Sequence, residues 1–113
     1  MLPLKNRLYK EPEINKLLKE GQTFFLPEFV IKYTFNKQET KIGFIISTKV
    51  DKRAVQRNLL KRRLIEVVRK LLPNIKTGYS LLIIAKKQAL ELDFLDLKKK
   101  LSFAFSKIKI YNE

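Results

Sequence analysis

Residues 49–72 constrain the fold most, because they combine a stripe of aliphatic side chains with a dense row of basic ones. A helix advances about 100° per residue. On a helix, four aliphatic residues of this segment fall within about 60° of one another: Leu60, Leu64, Val67 and Leu71. The stripe predicts a helix that packs on another layer of structure. Asp51 is its candidate N-cap, and the helix is expected to end at about Leu72, before Pro73.

The same segment carries half of the chain's charge. Residues 49–70 contain nine basic and two acidic residues, a net charge of +7, whereas the whole chain of 113 residues carries +14. Such self-repulsion is usually tolerated because the chain binds a polyanion, either nucleic acid or an anionic membrane surface. The charge favours nucleic acid as the partner, and a basic helix face that is merely solvated is the alternative.

The solvent side of the predicted helix presents hydrogen-bond donors suited to phosphate. Seven polar side chains surround it: Arg57, Asn58, Lys61, Arg62, Arg63, Arg69 and Lys70. Asn58, Arg62 and Arg69 lie within about 40° of one another, opposite the aliphatic stripe. A guanidinium pairs two phosphate oxygens, and an Asn amide can meet a sugar or a base edge.

Strand patterns lie on both sides of this helix. The apolar runs Ile42–Ser47 and Tyr79–Ala85 predict buried strands, and the first is expected to be central in its sheet. Residues 29–36 alternate between apolar and polar side chains, which predicts a strand with one buried face. A hairpin loop is expected at residues 36–40, and a short strand is expected at Phe24 and Phe25.

Helices are predicted near both ends of the chain. Glu11-Pro12-Glu13 opens a first helix, which Gly21 ends, and Asp93 can cap a last helix. The order of helix, strands, long helix, strand and helix predicts a single α+β domain over residues 1–113. We expect a two-layer α/β sandwich, with one mostly antiparallel four-stranded sheet and about three helices.

Composition excludes several kinds of catalytic site. The chain contains neither Cys nor His, so a disulfide, a thiolate metal site and an imidazole base are impossible. The carboxylates do not cluster as a two-metal site would require, and Asp93 and Asp96 are typical of a helix start. We therefore expect no catalytic residue and no protein-bound metal in this chain.

The sequence also predicts no membrane association. The longest apolar run, Leu81–Ala85, is far too short to span a bilayer. The first five residues lack the apolar core of a signal peptide, so a cytoplasmic location is expected.

The segment Ala-Val-Gln-Arg-Asn-Leu-Leu-Lys-Arg-Arg-Leu-Ile-Glu at residues 54–66 resembles the RNR motif of the bacterial ribonuclease P protein component. In that family a strand ending in Ser and Lys precedes the motif, here Ser47-Thr48-Lys49. A strand with the pattern Gly-Tyr, apolar run, Ala-Lys follows it, here residues 78–86. Asn6-Arg7-Leu8 and Lys19-Glu20-Gly21 are also similar to the family, so the resemblance covers nearly the whole chain. Leu59 and Ile65 depart from it, because the family usually has basic residues there.

The resemblance implies a protein subunit that helps a catalytic RNA remove the 5′ leader of precursor tRNA. The family fold contains a left-handed βαβ crossover around the motif helix. By resemblance, the contacts to ribonuclease P RNA fall on Arg57, Asn58, Lys61 and Arg62. The exposed positions of Arg63 and Arg69 on the predicted helix add these two residues to the expected contacts. Hydrolysis would use Mg²⁺ held mainly by the RNA, and no protein partner would be required.

A cleft between the sheet and the helices receives the single-stranded leader in this family. By position in the pattern, the cleft residues here are Ile14, Leu18, Val30, Lys32, Ser47, Lys49 and Arg53. Ile14 and Leu18 stand where Phe is usual, so base stacking on them should be weaker, and core packing is an equal alternative for both. For Phe24, Phe25 and Tyr33, core packing is favoured over base stacking.

Three other functions are compatible with a basic chain of this size. A ribosomal-type or chaperone protein would bind RNA without an enzymatic partner, but would not require the ordered signature. A DNA-binding module would need a second helix next to the long one, where strand is predicted. A nuclease acting alone would need a carboxylate cluster.

Overall fold

A four-stranded sheet separates two apolar clusters in the computed structural model, which describes residues 2–111. The strands are β1 (Gln22–Phe25), β2 (Phe29–Phe35), β3 (Lys41–Ile45) and β4 (Tyr79–Ala85), and the helices are α1 (Glu11–Glu20), α2 (Ala54–Leu71) and α3 (Phe94–Lys107). The predicted α+β class, with four strands and three helices, is confirmed. Met1, Asn112 and Glu113 of the predicted 1–113 domain lie outside the described residues.

The strand order is β1-β2-β4-β3, and the sheet is mixed. β1 with β2 and β2 with β4 pair antiparallel, whereas β3 and β4 are parallel, so the expected mostly antiparallel sheet needs that correction. Residues 36–40 do not form the predicted hairpin, because β4 lies between β2 and β3. The chain between β3 and β4 contains α2 and so forms a βαβ crossover. Its left-handedness stays a prediction.

β3 is an edge strand, so its predicted central position is wrong. Its apolar run has a different cause, since both faces of the strand are covered: Ile42 and Phe44 pack on one apolar cluster and Ile45 packs on the other. The N-terminal segment pairs with its outer edge. The Leu8 amide donates a hydrogen bond of 3.0 Å to the Ile42 carbonyl, and Arg7 forms a parallel bridge with Ile42. This cover pairs an edge that would otherwise expose unpaired backbone groups.

One face of the sheet, which we call the first face, carries the main core. Phe29, Ile31, Leu81 and Ile83 project from this face and are fully buried against α2 and α3. The predicted stripe of α2 lies in the same cluster, and all of its members are buried: Leu60, Leu64, Val67 and Leu71.

The opposite, or second, face is covered only in part. Residues of β2 and β4 that alternate with the core positions point to it, among them Val30, Lys32, Leu82 and Ile84. α1 packs here through Leu17, which lies with Leu82 in a small buried cluster. The aliphatic side chains around that cluster remain only partly buried.

The two predicted helix caps have different outcomes. Asp93 caps α3 as predicted, since its Oδ1 accepts a 2.8 Å hydrogen bond from the Asp96 amide. Asp51 is not the cap of α2, which begins at Ala54 and has Arg53 at its N-cap position. Asp51 instead accepts the Arg53 amide at 2.8 Å and closes a turn just before the helix. No helix within residues 2–111 is long and apolar enough to cross a membrane.

We predict that Asp93→Ala lowers the free energy of unfolding by about 1 kcal/mol, because the Asp96 amide loses its acceptor. Asp93→Asn is the matched control, since it removes the same charge and keeps a side-chain acceptor. Urea unfolding of both variants checks the prediction. Equal losses in the two variants would assign the stabilisation to the charge instead of the hydrogen bond.

Candidate nucleic-acid interface

α2 has the two sides that its sequence predicts. Its aliphatic stripe is buried, whereas Asn58, Lys61, Arg62 and Arg69 are exposed. Arg57 and Arg63 are half-buried at the borders of the stripe. The structure therefore places all six predicted contacts to the catalytic RNA on the accessible surface of one helix.

Arg57 has a contact within the chain that the sequence did not predict. Its Nη1 donates to the main-chain oxygens of Asp51, at 2.9 Å, and Lys52, at 2.8 Å. These bonds tie the start of α2 to the turn that precedes it. A guanidinium carries five N–H groups, so those on Nε and Nη2 are left for other acceptors.

Arg53, a predicted cleft residue, is ion-paired with Asp51. Its Nε and Nη2 donate to the two carboxylate oxygens at 3.1 and 2.9 Å, although 72% of the Arg53 side chain is exposed. The hydrogen bonds from Arg53 lower the pKa of Asp51 to about 2 and raise the pKa of Arg53. The pair holds the Arg53 guanidinium over the turn at the start of α2.

A second surface ion pair lies near the end of α2. Arg69 donates to both carboxylate oxygens of Glu66, at 3.3 and 2.9 Å, and this contact lowers the pKa of Glu66. Within residues 2–111, no acidic side chain lies within ion-pair distance of Lys61, Arg62 or Arg63. These three residues therefore present the least compensated positive charge among the predicted contacts of α2.

Four predicted cleft residues lie on or beside the second face. Val30 stands between Phe25 of β1 and Ile84 of β4, and Lys32 stands in the next row, opposite Leu82. Ile14 packs on the small cluster beneath α1, and 37% of Leu18 remains exposed. For Ile14 the structure favours the packing alternative, whereas Leu18 is open to a ligand.

The other predicted cleft residues follow β3. Ser47 and Lys49 are exposed in the turn after that strand, and Ser47 Oγ accepts the Lys49 amide at 3.3 Å. Because Ile45 pairs with Ile84, and Ile84 pairs with Val30, this turn lies at the end of the sheet where Val30 lies. Val30, Ser47 and Lys49 thus come to one end of the sheet, while Arg53 is held by Asp51.

Phe25 is the residue that the sequence interpretation placed wrongly. Phe24 and Tyr33 pack against the main core as predicted, but 69% of Phe25 is exposed. The ammonium of Lys86 lies 6.0 Å from the centroid of the Phe25 ring. Successive strand residues face opposite sides of a sheet, so adjacent Phe24 and Phe25 could not both enter a core on one side.

Carboxylates do not gather into a metal site in the described part of the chain. Within residues 2–111 there is no group of three or more Asp or Glu side chains placed to hold an ion. The acidic residues of the interface, Asp51 and Glu66, are engaged by arginines.

Comparison with known proteins gives matches along almost the whole chain. The family model described as Ribonuclease P matches residues 2–109. The ribonuclease P protein component of Bacillus pumilus is 34% identical over 111 residues, covering 96% of this chain and 92% of that protein. The corresponding protein of Pseudanabaena sp. is 31% identical over 112 residues and 97% of each chain.

Solved structures show the same fold. The RNase P protein of Staphylococcus aureus superposes with a TM-score of 0.84 at 24% identity, covering 95% of this chain and 98% of that one. The RNase P protein of Thermotoga maritima gives a TM-score of 0.81 at 25% identity, covering 89% and 96%. With its sequence matched almost end to end, this chain belongs to the ribonuclease P protein component family.

Proposed function

We propose that this chain is the protein subunit of ribonuclease P and that it binds two RNA elements on two separate surfaces. The catalytic RNA lies along the exposed side of α2, and the single-stranded 5′ leader of precursor tRNA lies across the open part of the second face. The observation that carries this proposal is the position of the two surfaces. α2 covers the first face of the sheet, whereas the cleft residues Val30 and Lys32 point to the opposite face.

The surface on α2 suits a folded RNA. Lys61, Arg62 and Arg63 have no carboxylate partner within residues 2–111, so binding phosphate there breaks no ion pair. Each neutralised phosphate releases condensed counterions, which favours binding at low salt. Asn58 lies beside Arg62 on the helix and offers an amide to a sugar or a base edge.

The two arginine–carboxylate pairs would hold their guanidinium groups in place before RNA binds. Arg53 and Arg69 each donate two hydrogen bonds to a neighbouring carboxylate, that of Asp51 and that of Glu66. Both side chains of the Arg69–Glu66 pair are exposed, and such pairs are weak, so a phosphate can take the place of the carboxylate there. Arg57 is a positioning residue in this proposal, because its bonds to the main chain order the turn that precedes α2.

Catalysis is assigned to the RNA subunit. The chain contains neither His nor Cys, and its interface carboxylates are paired with arginines. The reaction is hydrolysis of a phosphodiester bond with Mg²⁺ bound mainly by the RNA. The protein would bind the leader and so favour precursor over mature tRNA.

We predict that the purified chain restores removal of the tRNA leader by a bacterial ribonuclease P RNA at a Mg²⁺ concentration too low for the RNA alone. The protein without RNA should cleave nothing under the same conditions. The measurement is the rate of 5′-leader release from a labelled precursor tRNA. Cleavage by the protein alone, or no stimulation of the RNA, would refute the proposed function. Binding without stimulation would favour a ribosomal-type or chaperone protein.

Contact of α2 with phosphate should make the affinity for the catalytic RNA depend on salt concentration. We predict that Arg62→Ala lowers affinity for the catalytic RNA by about 1–3 kcal/mol and reduces the salt dependence by roughly one contact. Binding isotherms at several salt concentrations provide both quantities. Lys99→Ala on α3 is the control, because it removes the same charge from an exposed site outside the proposed surface. An equal change of slope in both variants would show that only net charge matters.

Contact with the leader should make the affinity for precursor tRNA depend on the length of the leader. We predict that Lys32→Ala combined with Lys49→Ala leaves binding of the catalytic RNA nearly unchanged but lowers affinity for a long-leader precursor. Two lost phosphate contacts, at about 1 kcal/mol each, correspond to a loss of affinity of more than tenfold. The measurement is holoenzyme affinity for precursors with long and very short leaders, and Lys99→Ala with Lys107→Ala is the matched control. Equal losses for both leader lengths would contradict this placement of the leader.

A further inference from the structure

We infer that Phe25 and Lys86 form a nucleotide-binding site at the edge of the second face, where a leader base stacks on the Phe25 ring and an adjacent phosphate pairs with Lys86. This inference rests on the proposed function, since it names one point of contact for the leader. It adds two residues to the set that the sequence pattern predicts.

The first support is the position of Phe25. It ends β1, an edge strand, and pairs with Val30 of β2, so its side chain projects on the second face. Phe25 is 69% exposed, whereas Phe24 packs against the core. Among the strand residues that project on this face, Phe25 is the one aromatic side chain: the others are Thr23, Val30, Lys32, Thr34, Lys41, Gly43, Ile45, Ser80, Leu82 and Ile84.

The second support is an apolar floor beside the ring. Val30, Ile84 and Ile45 continue the row that Phe25 begins, since the register pairs each with the next across the sheet. All three are only half-buried. In the neighbouring row Leu82 is fully buried under α1, whereas these three side chains keep part of their surface accessible. A flat base on Phe25 would therefore have aliphatic side chains next to it.

The third support is the fixed position of the Lys86 ammonium. Its Nζ donates a 2.9 Å hydrogen bond to the Leu26 carbonyl and lies 6.0 Å from the centroid of the Phe25 ring. An ammonium has three N–H donors, so two remain for a phosphate oxygen. Glu28, whose main-chain oxygen accepts the Lys86 amide at 2.9 Å, has one carboxylate oxygen 3.7 Å from Lys100, with 13% of its side chain exposed.

The combination points to single-stranded nucleic acid. Proteins that bind single strands pair aromatic stacking platforms with basic groups that follow the backbone. Lys32 on the neighbouring row and Lys49 beyond β3 continue the positive charge on this side. A double helix keeps its bases stacked inside, whereas an unpaired leader can offer a base to Phe25.

The chain provides a spectroscopic test because it contains no tryptophan. Phe25→Trp introduces a single indole at the proposed site. Phe103→Trp is the matched control, since Phe103 on α3 is 51% exposed and has the Lys107 ammonium 5.5 Å from its ring centroid. Each variant is assembled with the catalytic RNA and titrated with precursor tRNA that carries a long leader or none.

We expect the fluorescence of the Phe25→Trp holoenzyme to be quenched by the long-leader precursor and to change little with leaderless tRNA. The Phe103→Trp holoenzyme should show no difference between the two substrates. Absence of leader-dependent quenching at position 25, or equal quenching at position 103, would overturn the inference.

Affinity gives the second readout. Phe25→Ala should weaken binding of the long-leader precursor about tenfold, within the range of one lost stacking contact, whereas Phe25→Trp should retain it. Lys86→Gln keeps a donor for the Leu26 carbonyl and removes the charge, so a further decrease confined to long leaders is expected. If Phe25→Ala keeps the wild-type dependence on leader length, this site is wrong and the proposed function stands. If the affinity of the wild-type holoenzyme does not depend on leader length, the proposed leader-binding function itself is wrong.

Discussion

Burial of β4 on both of its faces is the constraint on which the rest of the structure depends. Leu81 and Ile83 lie against α2 and α3, while Leu82, between them, lies under α1, and all three are fully buried. A strand that is apolar on both faces must be covered on both faces. This need places the long basic helix on one side of the sheet and the short first helix on the other, and so creates two separate surfaces.

The two surfaces differ in charge and in how much of their apolar area is packed. α2 contributes one aliphatic stripe to the core, which leaves the rest of its circumference free for basic residues. Arg57, Arg53 and Arg69 also form contacts within the chain, and these order the turn before α2 and part of its exposed side. The second face has fewer cations and more open apolar surface, which suits an unpaired strand better than a folded RNA.

Local sequence patterns predicted the helices and strands well, but they did not predict which segments lie next to one another in the fold. The spacing of Leu60, Leu64 and Val67 gave the buried side of α2, and the Asp93 cap was found from its position before an apolar repeat. The apolar run of β3 was misplaced at the centre of the sheet, because periodicity cannot distinguish a central strand from an edge covered by the N-terminal segment. Asp51 was misassigned because an acidic residue can close the turn before a helix as readily as it can cap the helix.

The sequence by itself determined the helix with its basic side, the four strands and the family, because these depend on residue order and local spacing. Only the tertiary structure decided what each strand face meets. Phe24 and Phe25 are identical in type and adjacent, yet one packs on the core and the other is exposed beside Lys86. The reason is that α1 covers only part of the second face, and that extent of cover depends on packing between segments far apart in the chain.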